Sequence, residues 1–580
     1  MKLKRLEIKN FRNFESISID LDNKNVIFGM NDIGKTNFLY AIRFLLDKDV
    51  RRNRFSQTDY HKNNVENDIS ITLELDISDF DESEDTKNLV SQAGDVRSSK
   101  NHESFYIRVI GEYNHKEAFG EPKLFWGDDI DNLIDMENNG YSFKVDNVFQ
   151  VVYINPLIDL DKIFIKNKRI LMNESKSSDS DKEILKQIES LTSKVNKKIS
   201  GMEIIGDLQE NITKEYLSLR KEDIQIEMKS EMAIKGVFSD IVPYIKKKDD
   251  DKYYPTSGDG RRKILAYSIL NLLNNKLYED KIIVYLIEEP ENSLHRSMQI
   301  SLSRQLFSEK EYNYCFISTH SSDILYELDN TNLIRIYSSD KIECKSHIYN
   351  VPKDFKKNKK KLNKHFCNAL FSERVLLIEG PSEYVLFEKV MNEINYDYEL
   401  EGGYILQVNG TYFKTYFDAF KDLNIKIIVK TDNDLKVSKS NSSEYELLGI
   451  NRCIDLIEKD KKPNINIKFN KNEKESKKAK KNKLKTTKKR LFRENKDLIK
   501  EFEDKNIFLS EIDLENDLAK VIVEKMCLVL ESDKDKVVDV LQSKKLYKMI
   551  DLVDGLDEND CKKIYRSKYF KCLKELNNAR

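Results

Sequence analysis

The stretch VIFGMNDIGKTNFL, residues 26–39, leaves the chain few choices. Apolar NVIF (25–28) reads as a short buried strand, and NFLYAIRFLL (37–46) is apolar at helical spacing. Between them stands Gly29-x-x-x-x-Gly34-Lys35-Thr36. Strand, glycine loop and helix in that order are what a phosphate-binding loop needs. The glycines let backbone N–H groups turn inward around phosphate oxygens. Lys35 is placed to reach the β- and γ-phosphates of ATP, and Thr36 to hold Mg²⁺. Asn31 and Asn37 complete the candidate nucleotide-binding set.

The partners such a loop requires follow downstream. KIIVYLIEEPENSLH (281–295) is a buried strand running into two carboxylates. Glu288 is expected on the Mg²⁺ side, and Glu289 to orient an attacking water. YCFISTHSSDIL (314–325) is a second apolar strand, ending at His320, a candidate γ-phosphate sensor if it lies beside the acidic strand. TSGDGRRKILAYSIL (256–270) has a Ser257–Gly258 turn opening a helix, a place that suits a phosphate.

With the opening LEIKNFRNF (6–14), these elements resemble the ABC-type ATPase heads of the RecF, structural-maintenance and OLD groups. The resemblance implies head-to-head pairing, with Ser257 and Gly258 completing the ATP site of a second copy. Glu288 stands where many relatives carry Asp. The long coiled-coil arm of structural-maintenance proteins is absent. Residues 158–235 form only a charged helical insertion, clearest at EILKQIESLTSKVNKKI (183–199), for which dimerisation and a plain surface helical pair are equal readings. The head is therefore expected in two parts, 1–157 and 236–350.

Past residue 350 the alternation restarts. ERVLLIEG (373–380), GYILQVNG (403–410) and KIIVKTDND (426–434) read as strands, with helical spacing at 382–394 and 412–423. This predicts a parallel α/β sheet with its functional groups at the carboxyl ends of the strands. Glu379 ends the first strand, and Asp432 and Asp434 the third. NIFLSEIDLEND (506–517) is expected as a fourth strand, ending in Asp513 and Glu515. Residues two apart on a strand share a face, so each pair should point together. Carboxylates so gathered repel one another unless cations lie between them, and hard oxygen ligands suit Mg²⁺ or Mn²⁺. Two such ions can hold the attacking water and leaving oxygen of a phosphodiester displacement. Glu383 is either a ligand or a local helix cap, since Pro381 opens its helix.

Glu379 and Asp432-Asn433-Asp434 resemble the Toprim domain, and the added SEIDLENDL points to its OLD-type nuclease branch. The whole order of motifs, with SGDGRRK, IEEPE, IEGPSE and TDNDL, is similar to the Gabija anti-phage endonucleases. The resemblance implies a catalytic lysine within LQSKKLYKM (541–549), with Lys545 chosen and Lys544 the alternative. It also implies a double-stranded DNA substrate, a homo-oligomer, a separate helicase-like partner (GajB), and cutting restrained by ATP.

Composition bounds this reading. A chain of 580 residues exceeds one core, and no apolar run approaches the ~18–20 residues that span a bilayer. Seven cysteines lack paired spacing, which points to a reduced, cytoplasmic protein rather than a disulfide or zinc framework. The net charge of −1 hides a basic block, Lys471–Arg493, with twelve Lys or Arg against two Glu, inside a basic insertion at about 438–505. It reads as a solvated linker or as a phosphate-binding surface. The expected fold is α/β, an N-terminal ABC-type head with a helical insertion and a C-terminal Toprim domain, 351–580. The expected function is a metal-dependent DNA endonuclease. An ATP-driven clamp with a non-cleaving Toprim platform, or a topoisomerase- or primase-like protein, is the alternative.

Overall fold

The structure is a computed structural model that describes residues 1–30, 33–80, 82–94, 103–136, 138–139, 142–157, 179–219, 245–246, 253–254, 259–277, 280–308, 312–327, 331–340, 345–351, 365–408, 412–438, 441, 443–470 and 476–578. Two six-stranded sheets build the N-terminal half. The outer one is antiparallel, with Lys2–Phe11 between Phe14–Asp20 and Ile69–Asp76, followed by Ser104–Asn114, Phe119–Gly127 and Ile134–Asp135. The inner sheet runs in the order Phe149–Ile154, Ile282–Glu288, Tyr314–Thr319, Lys24–Phe28, Asn332–Asp340, Lys345–Asn350, all parallel except the last.

The helix Lys35–Leu46 is clamped between them. Its Phe38, Leu39, Ile42 and Leu45 share one core with Leu6, Ile8, Ile71 and Leu73 of the outer sheet and Leu286 and Phe316 of the inner one. The inner strands are apolar on both faces because both are covered. Ile27 joins this core, while Val26 and Phe28 turn to the opposite side.

The C-terminal sheet is four-stranded and parallel: Gly403–Gln407, Arg374–Ile378, Lys426–Thr431, Ile507–Leu509. One face, with Leu376, Ile378 and Ile428, packs on the helices Pro381–Ile394, Leu514–Val529, Lys545–Asp554, Glu558–Arg566 and Lys571–Asn577. The other, with Val375, Leu377 and Val429, shares a core with Val26 and Phe28 of the head. Arg335 fastens this junction. It is 2% exposed and donates to the carbonyls of Leu370 (3.1 Å), Ser372 (2.9 Å) and Leu423 (2.5 Å). Its register partner Phe28, the residue before the glycine loop, meets Phe371 edge to face at 5.6 Å.

The described insertion consists of two helices, Asp179–Ser200 and Glu203–Leu219, joined at Gly201–Met202. It exposes Ile184, Leu191, Val195, Ile204 and Leu208.

Two strand expectations are corrected. The third strand ends at Thr431, so Asp432 and Asp434 lie in the turn beyond it, where Asp434 N donates to Asp432 O (3.0 Å). The fourth ends at Leu509; Asp513 caps the helix Leu514–Val529, and Glu515 lies in that helix's first turn. Strand alternation therefore aims neither pair.

Candidate active sites

Parallel register assembles the nucleotide site. Glu288 pairs with Ser318, and Thr319 with Phe28. Gly29, Glu289 and His320, each the residue after its strand, thus reach one sheet edge together. Gly34 sits at φ 101°, and a Cβ there would fall 1.7 Å from Asn13 Nδ2, so only glycine fits. Lys35 folds back over the loop and donates to the carbonyls of Met30 (2.7 Å) and Gly29 (3.2 Å). Thr36 is exposed in the first turn of the helix. Asn31, Ser257 and Gly258 lie outside the described residues. Asn37 donates from its amide to Asn13 (2.8 Å) and accepts from Arg12 (2.8 Å), bonds that brace the loop.

Glu288 is buried; one oxygen accepts from Tyr153 Oη (2.9 Å), and the other, buried too, has no hydrogen-bond partner among the described residues. An orphaned buried oxygen at a phosphate loop fits a magnesium ion. Glu289 has a left-handed backbone (φ 42°) and stands 3.1 Å from His320 Nε2. Two residues went unread in the sequence. Glu291 accepts from Thr319 Oγ1 (2.8 Å) and His320 N (2.6 Å), and burial raises its carboxyl above the usual range. Lys263 donates to the carbonyls of Glu289 (3.2 Å) and Asn292 (3.0 Å), and burial pulls it down to about 8.

At the second site Glu379 follows its strand, and its Oε1 accepts from Thr431 Oγ1 (2.6 Å), Asp432 N (3.1 Å) and Arg452 Nη1. Asp432 is buried with its carboxyl well above the usual range, pushed there by burial and then by Glu379 and Glu383. Glu383 is likewise raised, chiefly by burial; its Oε2 accepts from Gly380 N (3.0 Å), so the capping role is realised. Asp513 accepts from Asn516 N (2.9 Å) and Gln542 Nε2 (3.0 Å). Lys545 Nζ lies 3.1 Å from buried Glu515. Burial works to lower the Lys545 ammonium and is outweighed by Glu515, Asp432 and Glu383, which hold it protonated. This placement favours Lys545 over Lys544. Asp434 points elsewhere, to Lys488 Nζ at 2.9 Å.

Much of the basic block belongs to this domain's own packing. Its helix, Lys477–Glu494, pairs Lys481 and Lys485 with Asp539 and Lys488 with Asp434. Lys477, Lys478, Lys480 and Lys489 remain exposed.

A family model described as an AAA ATPase domain matches residues 1–325, and one described as "Overcoming lysogenization defect protein-like, TOPRIM domain" matches 370–434. The "Endonuclease GajA" of Bacillus cereus (strain VD045) is 54% identical over 576 residues, 99% of each chain. The chain belongs to the GajA endonuclease family. The OLD nuclease of Thermus scotoductus is 25% identical, covering 75% of this chain and 82% of its own, and the Old nuclease of Escherichia phage P2 is 24% identical, covering 67% and 70%. The structural-maintenance head domain of Thermotoga maritima aligns over 61% of this chain and all of its own at 15% identity and a TM-score of 0.31. Among the described residues no helix is long and apolar enough to cross a membrane.

GajA family membership joins an ATPase to a Toprim nuclease, which implies a nucleotide at the first site and a divalent metal at the second. Among the described residues, no three acidic, histidine or cysteine side chains of either site stand together as a ready metal cage. Instead Arg452, Lys488 and Lys545 each hold one carboxylate. The donor set still fits a hard ion, being all oxygen, and two carboxyls raised by burial and mutual repulsion are what an added cation would relieve. Arg452 and Gln542 were missed because each is distant in sequence from the carboxylate it touches.

Proposed function

We propose that this protein is a metal-dependent endonuclease acting on double-stranded DNA, with cleavage at the Toprim site controlled by ATP bound to the head, in defence against phage. The observation that carries the reading is the placing of the Lys545 ammonium against Glu515, Asp432 and Glu383, with Glu379 and Asp513 as further negative neighbours of buried Asp432. Glu379, Asp432, Asp513 and Glu515 would hold Mg²⁺ or Mn²⁺, with Glu383 behind them and Asp434 joining once released by Lys488. The metal supplies an activated water and charge neutralisation at the phosphate. Lys545, held protonated, stabilises negative charge on the scissile phosphate. At the head, Lys35 leaves the loop carbonyls for the phosphates, Glu288 takes the ion's side, and His320 with Glu289 reads the γ-phosphate. Head pairing through Ser257 and Gly258, self-association through the insertion, and a helicase-like partner of the GajB kind belong to the same reading, as does a cytoplasmic location.

Supercoiled plasmid with Mg²⁺ or Mn²⁺ tests it. Nicked or linear product from the native protein, abolished by Glu379→Ala or Asp513→Ala, supports the nuclease. Relaxed closed circles point to a topoisomerase, and unchanged plasmid to a clamp.

A further inference from the structure

Arg452 stands on the short helix Leu448–Leu456, outside every motif that marks the nuclease site. The helix is sealed onto the Asp432–Asp434 turn. A Cβ on Gly449 would fall 2.2 Å from Asp432 O, and Gly449 N donates to Asp434 O (3.0 Å). Nothing larger than glycine permits this approach, and the approach aims Arg452 into the site. Its side chain is 11% exposed, lies with Cζ 5.2 Å from the Phe413 ring centre, and donates from Nη1 to both Glu379 Oε1 and Thr431 Oγ1. Thr431 Oγ1 in turn donates to the same Glu379 oxygen at 2.6 Å, and Asp432 N reaches it at 3.1 Å. Glu379 Oε1 is thus saturated by three donors, while among the described residues none reaches Oε2.

We infer that Arg452 is a positioning residue that fixes Glu379 as a one-oxygen metal ligand. By occupying Oε1 it leaves Oε2 as the oxygen that can face an ion, and it fixes the rotamer. This rests on the nuclease reading above. A fixed positive charge beside the ligand also opposes the ion. Arg452 therefore weakens metal binding while preserving the geometry that turns over. Loss of the guanidinium frees Oε1, removes the opposing charge and lets the carboxylate swing.

The two effects have opposite signs, which a merely structural residue would not produce. Arg452→Gln should bind Mn²⁺ about tenfold more tightly in the absence of DNA, from removal of a unit charge near the ion, measured by Mn²⁺ paramagnetic resonance. Its maximal nicking rate at saturating Mn²⁺ should fall at least about tenfold as the carboxylate loses its fixed orientation, with DNA affinity unchanged. Arg452→Lys, which keeps the charge but not the fork, should keep native Mn²⁺ affinity and lose part of the rate. Mn²⁺ affinity and rate both within twofold of native overturn the inference. So do both worsening together, or a loss confined to DNA affinity. Failure of the native protein to nick sinks the nuclease reading instead, and the Mn²⁺ measurement still decides whether Arg452 opposes the ion.

Discussion

Asp432→Asn should stabilise the metal-free protein while abolishing its nuclease. The Asp432 carboxylate is 7% exposed, has Glu379, Glu383 and Asp513 as negative neighbours, and is opposed by Lys545. Among the described residues its carboxylate oxygens accept no hydrogen bond, so the amide forfeits none. Like charges beside a buried carboxyl make its ionised form unfavourable; the amide relieves that repulsion but forfeits the attraction to Lys545, so a net gain on the order of 1 kcal/mol is expected, one carboxyl's repulsion less one ion-pair attraction. The sign with pH is fixed. A carboxyl whose folded pKa is raised destabilises the fold above that pKa, and the penalty disappears as pH falls through it toward the ordinary value of 3.8. The gain should be larger at pH 7.5 than in acid and vanish below the ordinary value. Urea unfolding in EDTA at both pH values, followed by fluorescence of Trp126 and by circular dichroism, measures it, and plasmid nicking with Mn²⁺ measures activity. A destabilisation of 1 kcal/mol or more at pH 7.5, or nicking near the native rate, would refute the reasoning.

Three further outcomes follow from the geometry. Changing exposed Lys477, Lys478, Lys480 and Lys489 to Gln should flatten the dependence of log K for DNA on log salt, by up to about 0.9 for each phosphate no longer neutralised. Changing Lys481 and Lys485, engaged with Asp539, should flatten it less; equal slopes would return the block to a solvated surface. Arg335→Met should take the donor from three buried carbonyls and destabilise the junction by about 1–3 kcal/mol for each carbonyl left unsatisfied, offset in part by relief of the buried guanidinium, read as earlier proteolysis between head and Toprim domain, with ATP control weakened in parallel. Lys263→Met removes an ammonium that burial pulls down to about 8, together with its hydrogen bonds to the Glu289 and Asn292 carbonyls; the burial penalty on the native ammonium is full below that pH and relieved above it, so native stability should rise relative to the variant as pH goes from 7 toward 10.5. Scanning calorimetry at pH 7 and pH 9.5 checks it.

The sequence carried the order of elements well because each motif couples a strand to the residue that follows it. Gly29, Glu289, His320 and Glu379 were legible for that reason: a strand of five to seven residues built on an apolar run of three to six, followed directly by a glycine loop or a polar group, has one sensible place, the edge of a covered parallel sheet. The errors arose where a strand was taken to continue through polar residues. The chain leaves the sheet after Thr431 and Leu509, and turn and helix-cap hydrogen bonds, not pleat alternation, orient Asp434 and Asp513. Arg452 lies outside the motifs, Gln542 and Lys263 lie within LQSKKLYKM and SGDGRRK with nothing local to mark their partners, and the roles of all three exist only once distant segments meet.

On the proposed reading the Toprim cluster cuts under the control of nucleotide at the head, and the junction offers such control a physical route, since Phe28, just before the glycine loop, touches Phe371 at the approach to the Glu379 strand. A ligand shifts a two-state balance only by its differential affinity, about 5.5 kcal/mol to move from 1:99 to 99:1. The most direct measurement is plasmid nicking across an ATP titration, native protein beside Lys35→Ala. ATP should silence the native protein while Lys35→Ala keeps cutting at millimolar ATP. Stimulation of the native protein by ATP, or full inhibition of Lys35→Ala, would contradict it.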